Sequence, residues 1–245
     1  MLPRWSSWPT ALLIGLFVLP LHGASAQETV REARSVASFT AIEFRGPGTL
    51  HLRQGEEQSV EVEAPRAVLD QFDTAVEGGT LELPVDKDAN VFERLFGDDS
   101  SNDVEVDVYV TAPTIEALSL TGSGRIEGET PIEGEALSLN VAGSGGMTLE
   151  VASAELDVNV AGSGTSTLRG RTRTFTINVA GSGDLEGRDL ETETAEVRIA
   201  GSGDVMLHVT EELSASIFGS GNVRYRGEPT VSTNSVGSGT VNPLD

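Results

Sequence analysis

Three acidic residues have the spacing that best suits chemistry: Asp184, Glu186 and Asp204. Asp184 and Asp204 each follow directly on a Gly-Ser-Gly triplet. If successive triplets stack on one another, these carboxylates lie close together and could offer oxygen ligands to Ca²⁺. The same acids could instead form the carboxylate pair with which an enzyme cleaves a polysaccharide. Both interpretations depend on how the chain folds.

Other catalytic or metal-binding patterns are incomplete. The segment Asp86-Lys87-Asp88-Ala89-Asn90 resembles the start of an EF-hand loop, but Val91 and Gly97 stand where that loop needs Gly and Glu. Neither His51 nor His208 has a nucleophile near it in sequence. The serines of the Gly-Ser-Gly triplets do not precede a helix, which excludes a nucleophile elbow. We therefore expect no catalytic residues and no cofactor, with a Ca²⁺ site left open at the three acids above.

The elements that position these residues follow from a repeat. Gly-Ser-Gly occurs seven times, with a mean step of about 19 residues. Such a period indicates an architecture in which each copy is one coil stacked on the next. Each triplet is predicted to be a corner, because sharp bends need backbone conformations that only glycine adopts cheaply. The predicted corner glycines are Gly122, Gly124, Gly143, Gly145, Gly162, Gly164, Gly181, Gly183, Gly201, Gly203, Gly219, Gly221, Gly237 and Gly239.

Apolar residues alternate with polar ones before each triplet. In the copy that ends at Gly162, for example, Leu156, Val158 and Val160 alternate with polar residues. A period of two predicts strands with one buried face and excludes helices. Each copy is too short for the four strands of a propeller blade. The sequence therefore predicts an all-β fold, a parallel β-helix or β-solenoid of about 19-residue coils, each with two or three short strands. The last copy is the most polar, as expected of a capping coil.

One polar position recurs as asparagine. Asn140, Asn159 and Asn178 occupy the same place in three successive copies, and Arg198 and Ser216 then interrupt the row. Stacked asparagine side chains can hydrogen-bond to one another along the axis, as they do in cross-β assemblies. The pattern favours a structural ladder, with a ligand-binding stripe as the alternative.

The segment 36–110 shows the same alternation with different turns. Gly46-Pro47-Gly48 lies where a degenerate first copy of the triplet would lie. Gly78-Gly79 separates two alternating runs and predicts a tight hairpin, because both residues can adopt positive φ. Residues 86–103 form an irregular acidic insertion.

The N-terminus has the features of a secretory signal peptide over residues 1–26. Arg4 precedes an apolar run over 11–19, and Ala24-Ser25-Ala26 resembles a cleavage site. We expect cleavage after Ala26, a flexible N-terminus over 27–35 and a single β-solenoid domain over 36–245. No later stretch is apolar enough to cross a bilayer. The expected location is the periplasm, the cell surface or the medium.

Charge limits the partners. The chain carries 38 acidic and 16 basic residues, for a net charge of −22, and it contains no cysteine. Such a surface repels phosphate backbones and anionic lipid head groups, so nucleic acid and direct membrane adsorption are not expected. An envelope protein or a glycan remains as a partner. The open ends and edges of a solenoid also allow a homo-oligomer.

Several segments together resemble one family. Phe-Thr-Ala-Ile-Glu-Phe over 39–44, Leu-His-Leu-Arg-Gln-Gly over 50–55, and Val-Ala-Gly-Ser-Gly at 141–145, 160–164 and 179–183 are similar to the head GIN domain family. Its members are labelled autotransporter adhesins. The resemblance implies a right-handed, single-stranded β-helix in exported bacterial proteins, and it carries no catalytic or binding residues. An autotransporter also needs a membrane barrel, and none follows the last copy, so we expect a free periplasmic or secreted solenoid.

These observations favour a non-enzymatic interaction module of the cell envelope or surface. It would be adhesin-like and would bind a protein or a glycan. The alternatives are a polysaccharide-acting enzyme with stacked carboxylates and a structural rod stiffened by Ca²⁺.

Overall fold

A computed structural model describes residues 29–84 and 106–244 of the chain. All of its strands belong to one 17-stranded sheet, and one cluster of buried apolar side chains runs through it. The fold is an all-β solenoid of about seven turns with coils of about 19 residues, which confirms the predicted fold class. Among these residues, no helix is long and apolar enough to span a membrane. The right-handed sense of the coil stays a prediction.

Five long strands form the central coils. Each strand ends in a Gly-Ser-Gly triplet and pairs in parallel with its successor, and all but the first also start just after a triplet. One coil is therefore one strand, whereas the sequence predicted two or three. Each coil has a second bend near the middle of its long strand. Parallel pairing continues through this bend, where Ser153 pairs with Thr172, so the strand is not divided there. These strands are β10 (Ile132–Gly143), β11 (Gly146–Gly162), β12 (Thr165–Gly181), β13 (Asp184–Gly201) and β14 (Asp204–Gly219).

The triplets stack in register. Gly143 pairs with Gly122 on one side and with Gly162 on the other. The first position of each triplet requires glycine because its φ is positive, +120° at Gly143, and other residues adopt such a φ only at a cost in free energy. The third glycine needs its missing side chain, because a Cβ on Gly145 would lie 2.5 Å from the carbonyl oxygen of Gly124. A larger residue at either place would push neighbouring coils apart.

The core lies between the two walls of each coil. In β11, six apolar side chains point inward and are at most 2% exposed, and burying each stabilises the fold by about 1.5–3 kcal/mol. Equivalent side chains stack in register along the axis. The alternation therefore places the core where the sequence predicted it. The six are Met147, Leu149, Val151, Leu156, Val158 and Val160.

The first copy of the repeat is the predicted degenerate one. Strands β2 (Ala41–Arg45) and β3 (Thr49–Gln54) pair in parallel with β8 (Ala117–Gly122) and β9 (Arg125–Gly128). The amide of Gly46 donates to the carbonyl oxygen of Thr121 at 2.8 Å. Gly46-Pro47-Gly48 is thus stacked on the first true triplet.

The order of the coils in space differs from their order in sequence. Strands β6 (Thr80–Leu83) and β7 (Asp107–Ala112) pair in parallel with the other sides of β2 and β3. The first copy is therefore enclosed between a later segment and the next coil. Strand β5 (Ala75–Glu77) pairs with β6 in the hairpin predicted at Gly78-Gly79. The acidic insertion 86–103 lies outside the described residues.

The N-terminus corrects one prediction. The sequence predicted a flexible segment over 27–35, but Thr29–Ala33 forms strand β1, which pairs antiparallel with β4 (Ser59–Pro65). Strand β4 in turn pairs with β7 and leads into a four-residue helix, α1 (Arg66–Leu69). Strand β1 is difficult to predict from sequence because it is rich in charged residues. In the structure these residues have partners on the neighbouring strand: Arg31 lies 2.6 Å from Glu61. The predicted signal peptide lies outside the described residues.

The last coil consists of short strands. Strand β15 (Asn222–Arg226) pairs with β14, and so does β16 (Thr230–Gly237). Strand β17 (Thr240–Pro243) pairs with β15. All eight residues of β16 are exposed.

Candidate functional site

A broad outer wall of the solenoid carries the row of asparagines. We define the asparagine face as the outward side chains that lie one, three and five residues before the triplets. These side chains alternate with buried ones and stack in register from coil to coil. The face comprises the outward side chains of 138–142, 157–161, 176–180, 196–200 and 214–218.

The asparagines form the predicted ladder. The Nδ2 atom of Asn159 donates to Oδ1 of Asn140 at 3.2 Å, and Nδ2 of Asn178 donates to Oδ1 of Asn159 at 3.0 Å. Asn159 also donates to Asp157 at 2.6 Å. An amide side chain has two N–H donors and two acceptor lone pairs, so the ladder fixes each side chain while leaving hydrogen-bonding capacity toward solvent.

The asparagine face is nearly free of unpaired charge. Its charged residues are Asp157, which accepts from Asn159, and Glu196 and Arg198, which form an ion pair with each other. The remaining side chains are uncharged, and all are small or medium-sized except Phe218 at the C-terminal end. On a chain of net charge −22, such a neutral, repetitive wall is distinctive.

Two of the three candidate metal ligands, Asp184 and Asp204, lie in one column. Oδ1 of Asp184 accepts from the backbone amide of Asp204 at 2.9 Å, and Oδ1 of Asp204 accepts from that of Asn222 at 3.0 Å. Glu186 forms an ion pair with Arg188 at 2.8 Å. Within residues 29–84 and 106–244, no three acidic or histidine side chains are arranged to hold a metal ion. The EF-hand-like segment 86–90 lies outside those residues.

A shallow groove of about 560 Å³ crosses the second bend of the coils. Its floor contains Thr172 and Thr192, which are 5% and 1% exposed. Oγ1 of Thr192 donates to the carbonyl oxygens of Arg173 and Thr194, at 3.2 and 3.1 Å. Exposed Arg171 and Arg173 line its rim. Sequence reasoning missed this groove, although a hydroxyl-bearing residue recurs at 153, 172 and 192.

A polar cluster lies near the N-terminal end. Nε2 of His51 lies 3.1 Å from Oδ1 of Asp107, and the His51 ring stacks on Tyr109 with centroids 4.7 Å apart. Arg31 lies 3.7 Å from the centre of the Tyr109 ring. Burial raises the pKa of Tyr109, and the charges of Asp107 and Glu63 raise it further. These residues come from three strands, Arg31 from β1, His51 from β3, and Asp107 and Tyr109 from β7, so sequence spacing alone could not show that they meet.

Comparisons with known proteins agree with this fold. A family model described as "Putative auto-transporter adhesin, head GIN domain" matches residues 38–229. No curated protein matches the chain.

Solved structures resemble the chain over almost its whole length. A "putative adhesin" from Bacteroides fragilis is 22% identical with a TM-score of 0.79, covering 89% of this chain and 98% of that one. A "Putative lipid binding protein" from Parabacteroides distasonis is 25% identical with a TM-score of 0.71, covering 90% and 98%. A "putative adhesin" from Parabacteroides merdae is 19% identical with a TM-score of 0.69, again covering 90% and 98%.

Proposed function

The chain belongs to the auto-transporter adhesin, head GIN domain family, and on that premise we propose that it is an exported, non-enzymatic, adhesin-like module that binds an uncharged glycan through its asparagine face. The glycan would belong to the cell envelope or to a surface that the cell meets. The signal-peptide pattern of residues 1–26 supports export.

The observation that carries this proposal is the hydrogen-bonded row Asn140, Asn159 and Asn178. Sugar hydroxyl groups both donate and accept hydrogen bonds, and so do amide side chains. Because the ladder already holds the amides in place, binding would immobilise little additional side-chain freedom. Adjacent strands lie about 4.8 Å apart, so the row offers a regular series of equivalent groups to a regular polymer.

The composition of the face favours a glycan over a protein. Protein interfaces draw most of their binding energy from buried aromatic and arginine anchors. Between Ser138 and Ala200, the asparagine face has no exposed large apolar side chain, and its one arginine is paired with Glu196. The net charge of −22 opposes anionic polymers. A neutral polysaccharide is the partner that these properties fit.

The non-enzymatic part of the proposal rests on how the acids are used. Asp184 and Asp204 accept hydrogen bonds from the next coil, which gives them a structural role. The family and the structural relatives are named as adhesins or as a lipid-binding protein, not as enzymes.

A protein partner in the groove is the second candidate. Arg171 and Arg173 are exposed there and form no ion pair among the described residues. Arginine is enriched in protein interfaces. Capture of an envelope protein that Arg171→Ser with Arg173→Ser abolishes would favour this candidate.

The test of the first candidate is a glycan array probed with the processed chain at low and high salt. We expect binding to one or more uncharged glycans, with little loss at high salt, because an uncharged ligand forms no ion pair with the face that salt could screen. Absence of glycan binding, or binding only to charged glycans with loss at high salt, would overturn the proposal.

A further inference from the structure

The last coil has an unpaired edge. Among the described strands, β16 pairs only with β14, and β17 pairs only with β15. The outer sides of both strands thus present backbone N–H and C=O groups without a strand neighbour. Such an edge is a template for pairing with another chain.

The strands of this edge carry no charged residue, and Pro243 at the end of β17 is the one proline in them. Proteins commonly guard exposed edges with charged side chains, above all lysine. Residues 229–244 include no charged residue, although the chain as a whole has 16 basic and 38 acidic ones. The coil is polar, as the sequence predicted for a cap, and its strands hold no charge that would repel a second strand, since the next charged residue in sequence is Asp245.

The exposed apolar residues gather at the same end. Phe218, Val231 and Val236 are the exposed large hydrophobic residues among those described, at 56%, 37% and 58%. Val231 pairs in register with Leu213, which is fully buried. Val231 therefore occupies an inward position of the solenoid that no further coil covers.

We propose that the last coil is the contact surface for a second copy of this chain, related to the first by a twofold axis. Two copies with a net charge of −22 repel each other, so they can meet most favourably where both are neutral. The opposite end of the solenoid is less suitable, because its edge strands β1 and β5 carry charged residues, Arg31, Glu32 and Glu77, which guard an edge against pairing. The contact is thus end to end between identical coils.

The geometry of the coil suits this arrangement. A twofold axis normal to the outer walls sets β16 antiparallel to β16 of the other copy and does the same for β17. Both unpaired edges then gain neighbours, and Val231 and Val236 lose exposure to water. An isologous contact of this kind closes on itself and yields a dimer, not a filament.

Sedimentation of the processed chain over a range of concentrations, at low and high salt, tests the proposal. We expect a monomer–dimer equilibrium that shifts toward dimer as salt screens the remaining charge. Val231→Lys should weaken association about tenfold or more, because like charges meet across the axis. Thr148→Lys, in the middle of the solenoid, should leave association unchanged.

Val236→Lys provides a second variant whose side chain is already outside the fold, and we expect it to weaken association while leaving the unfolding temperature unchanged. The proposal is overturned if the native chain stays monomeric throughout, if it forms open-ended assemblies, or if the folded Val236→Lys variant associates as the native chain does. None of these outcomes depends on whether a glycan binds.

Discussion

Nδ2 of Asn178 donates a hydrogen bond to Oδ1 of Asn159, 3.0 Å away on the neighbouring coil. The two residues are paired in register, so the contact repeats the spacing of the backbone ladder. Asn159 in turn donates to Asn140. The outer wall is therefore held by side chains as well as by its core.

Asn159→Ala should lower the free energy of unfolding by about 1 kcal/mol, because the middle residue of the ladder takes part in hydrogen bonds with both of its asparagine neighbours. Asn234→Ala, in the exposed last coil, is the control and should have a smaller effect. Urea unfolding of both variants measures the difference. Equal effects would show that the ladder adds nothing to stability.

Gly145→Ala should destabilise the chain by about 1–3 kcal/mol, because the new Cβ would lie 2.5 Å from the carbonyl oxygen of Gly124. Gly134→Ala, in the strand β10 that precedes this triplet, is the control. Its Cβ would meet no atom closer than 3.9 Å, so it should be neutral or stabilise slightly. Thermal unfolding would contradict this account if both variants lost stability equally.

Removing either of two buried hydroxyl groups should affect the free energy of unfolding differently. Thr192→Val should lower stability by about 1 kcal/mol, because it removes the hydroxyl that donates to the carbonyl oxygens of Arg173 and Thr194. The Arg173 oxygen keeps a second hydroxyl donor, Thr194, at 3.4 Å. Oγ of Ser166 is buried without a hydrogen-bond partner among the described residues, so Ser166→Ala should keep or raise stability. Denaturant unfolding compares them, and a loss at Ser166 equal to that at Thr192 would contradict the assignment.

Tyr109 should ionise above the usual tyrosine pKa of about 10. Its raised pKa means that the folded state favours the neutral phenol, so this contribution to stability is present below pH 10 and is lost as pH rises through the folded pKa. Absorbance titration of Tyr225→Phe isolates Tyr109, because the chain has two tyrosines. A midpoint at or below 10 would contradict the structure.

Much of the fold could be predicted because its determinants are local. Residues such as Leu156, Val158 and Val160 alternate with polar ones within a single strand. The spacing of the triplets fixes which strands are neighbours, and hence the asparagine ladder. The Gly78-Gly79 hairpin is equally local.

The rest depends on pairing between distant segments. The position of β2 between β6 and β8 could not be predicted from sequence spacing. Strand β1 depends on its pairing with β4 and on the contacts of Arg31 with Glu61 and Tyr109. The column of Asp184 and Asp204 was predicted correctly, but its hydrogen bonds to backbone amides could be seen only in the structure.

The central claim is that the asparagine face binds an uncharged glycan. The most direct test is the dissociation constant for the glycan that the array selects, measured by calorimetry for Asn159→Arg and for Thr148→Arg. Both variants place the same charge on the same coil, but only the first blocks the asparagine face. We predict about tenfold or weaker affinity for Asn159→Arg, which corresponds to about 1.4 kcal/mol, and native affinity for Thr148→Arg. Native affinity in Asn159→Arg, or an equal loss in both variants, would contradict the account.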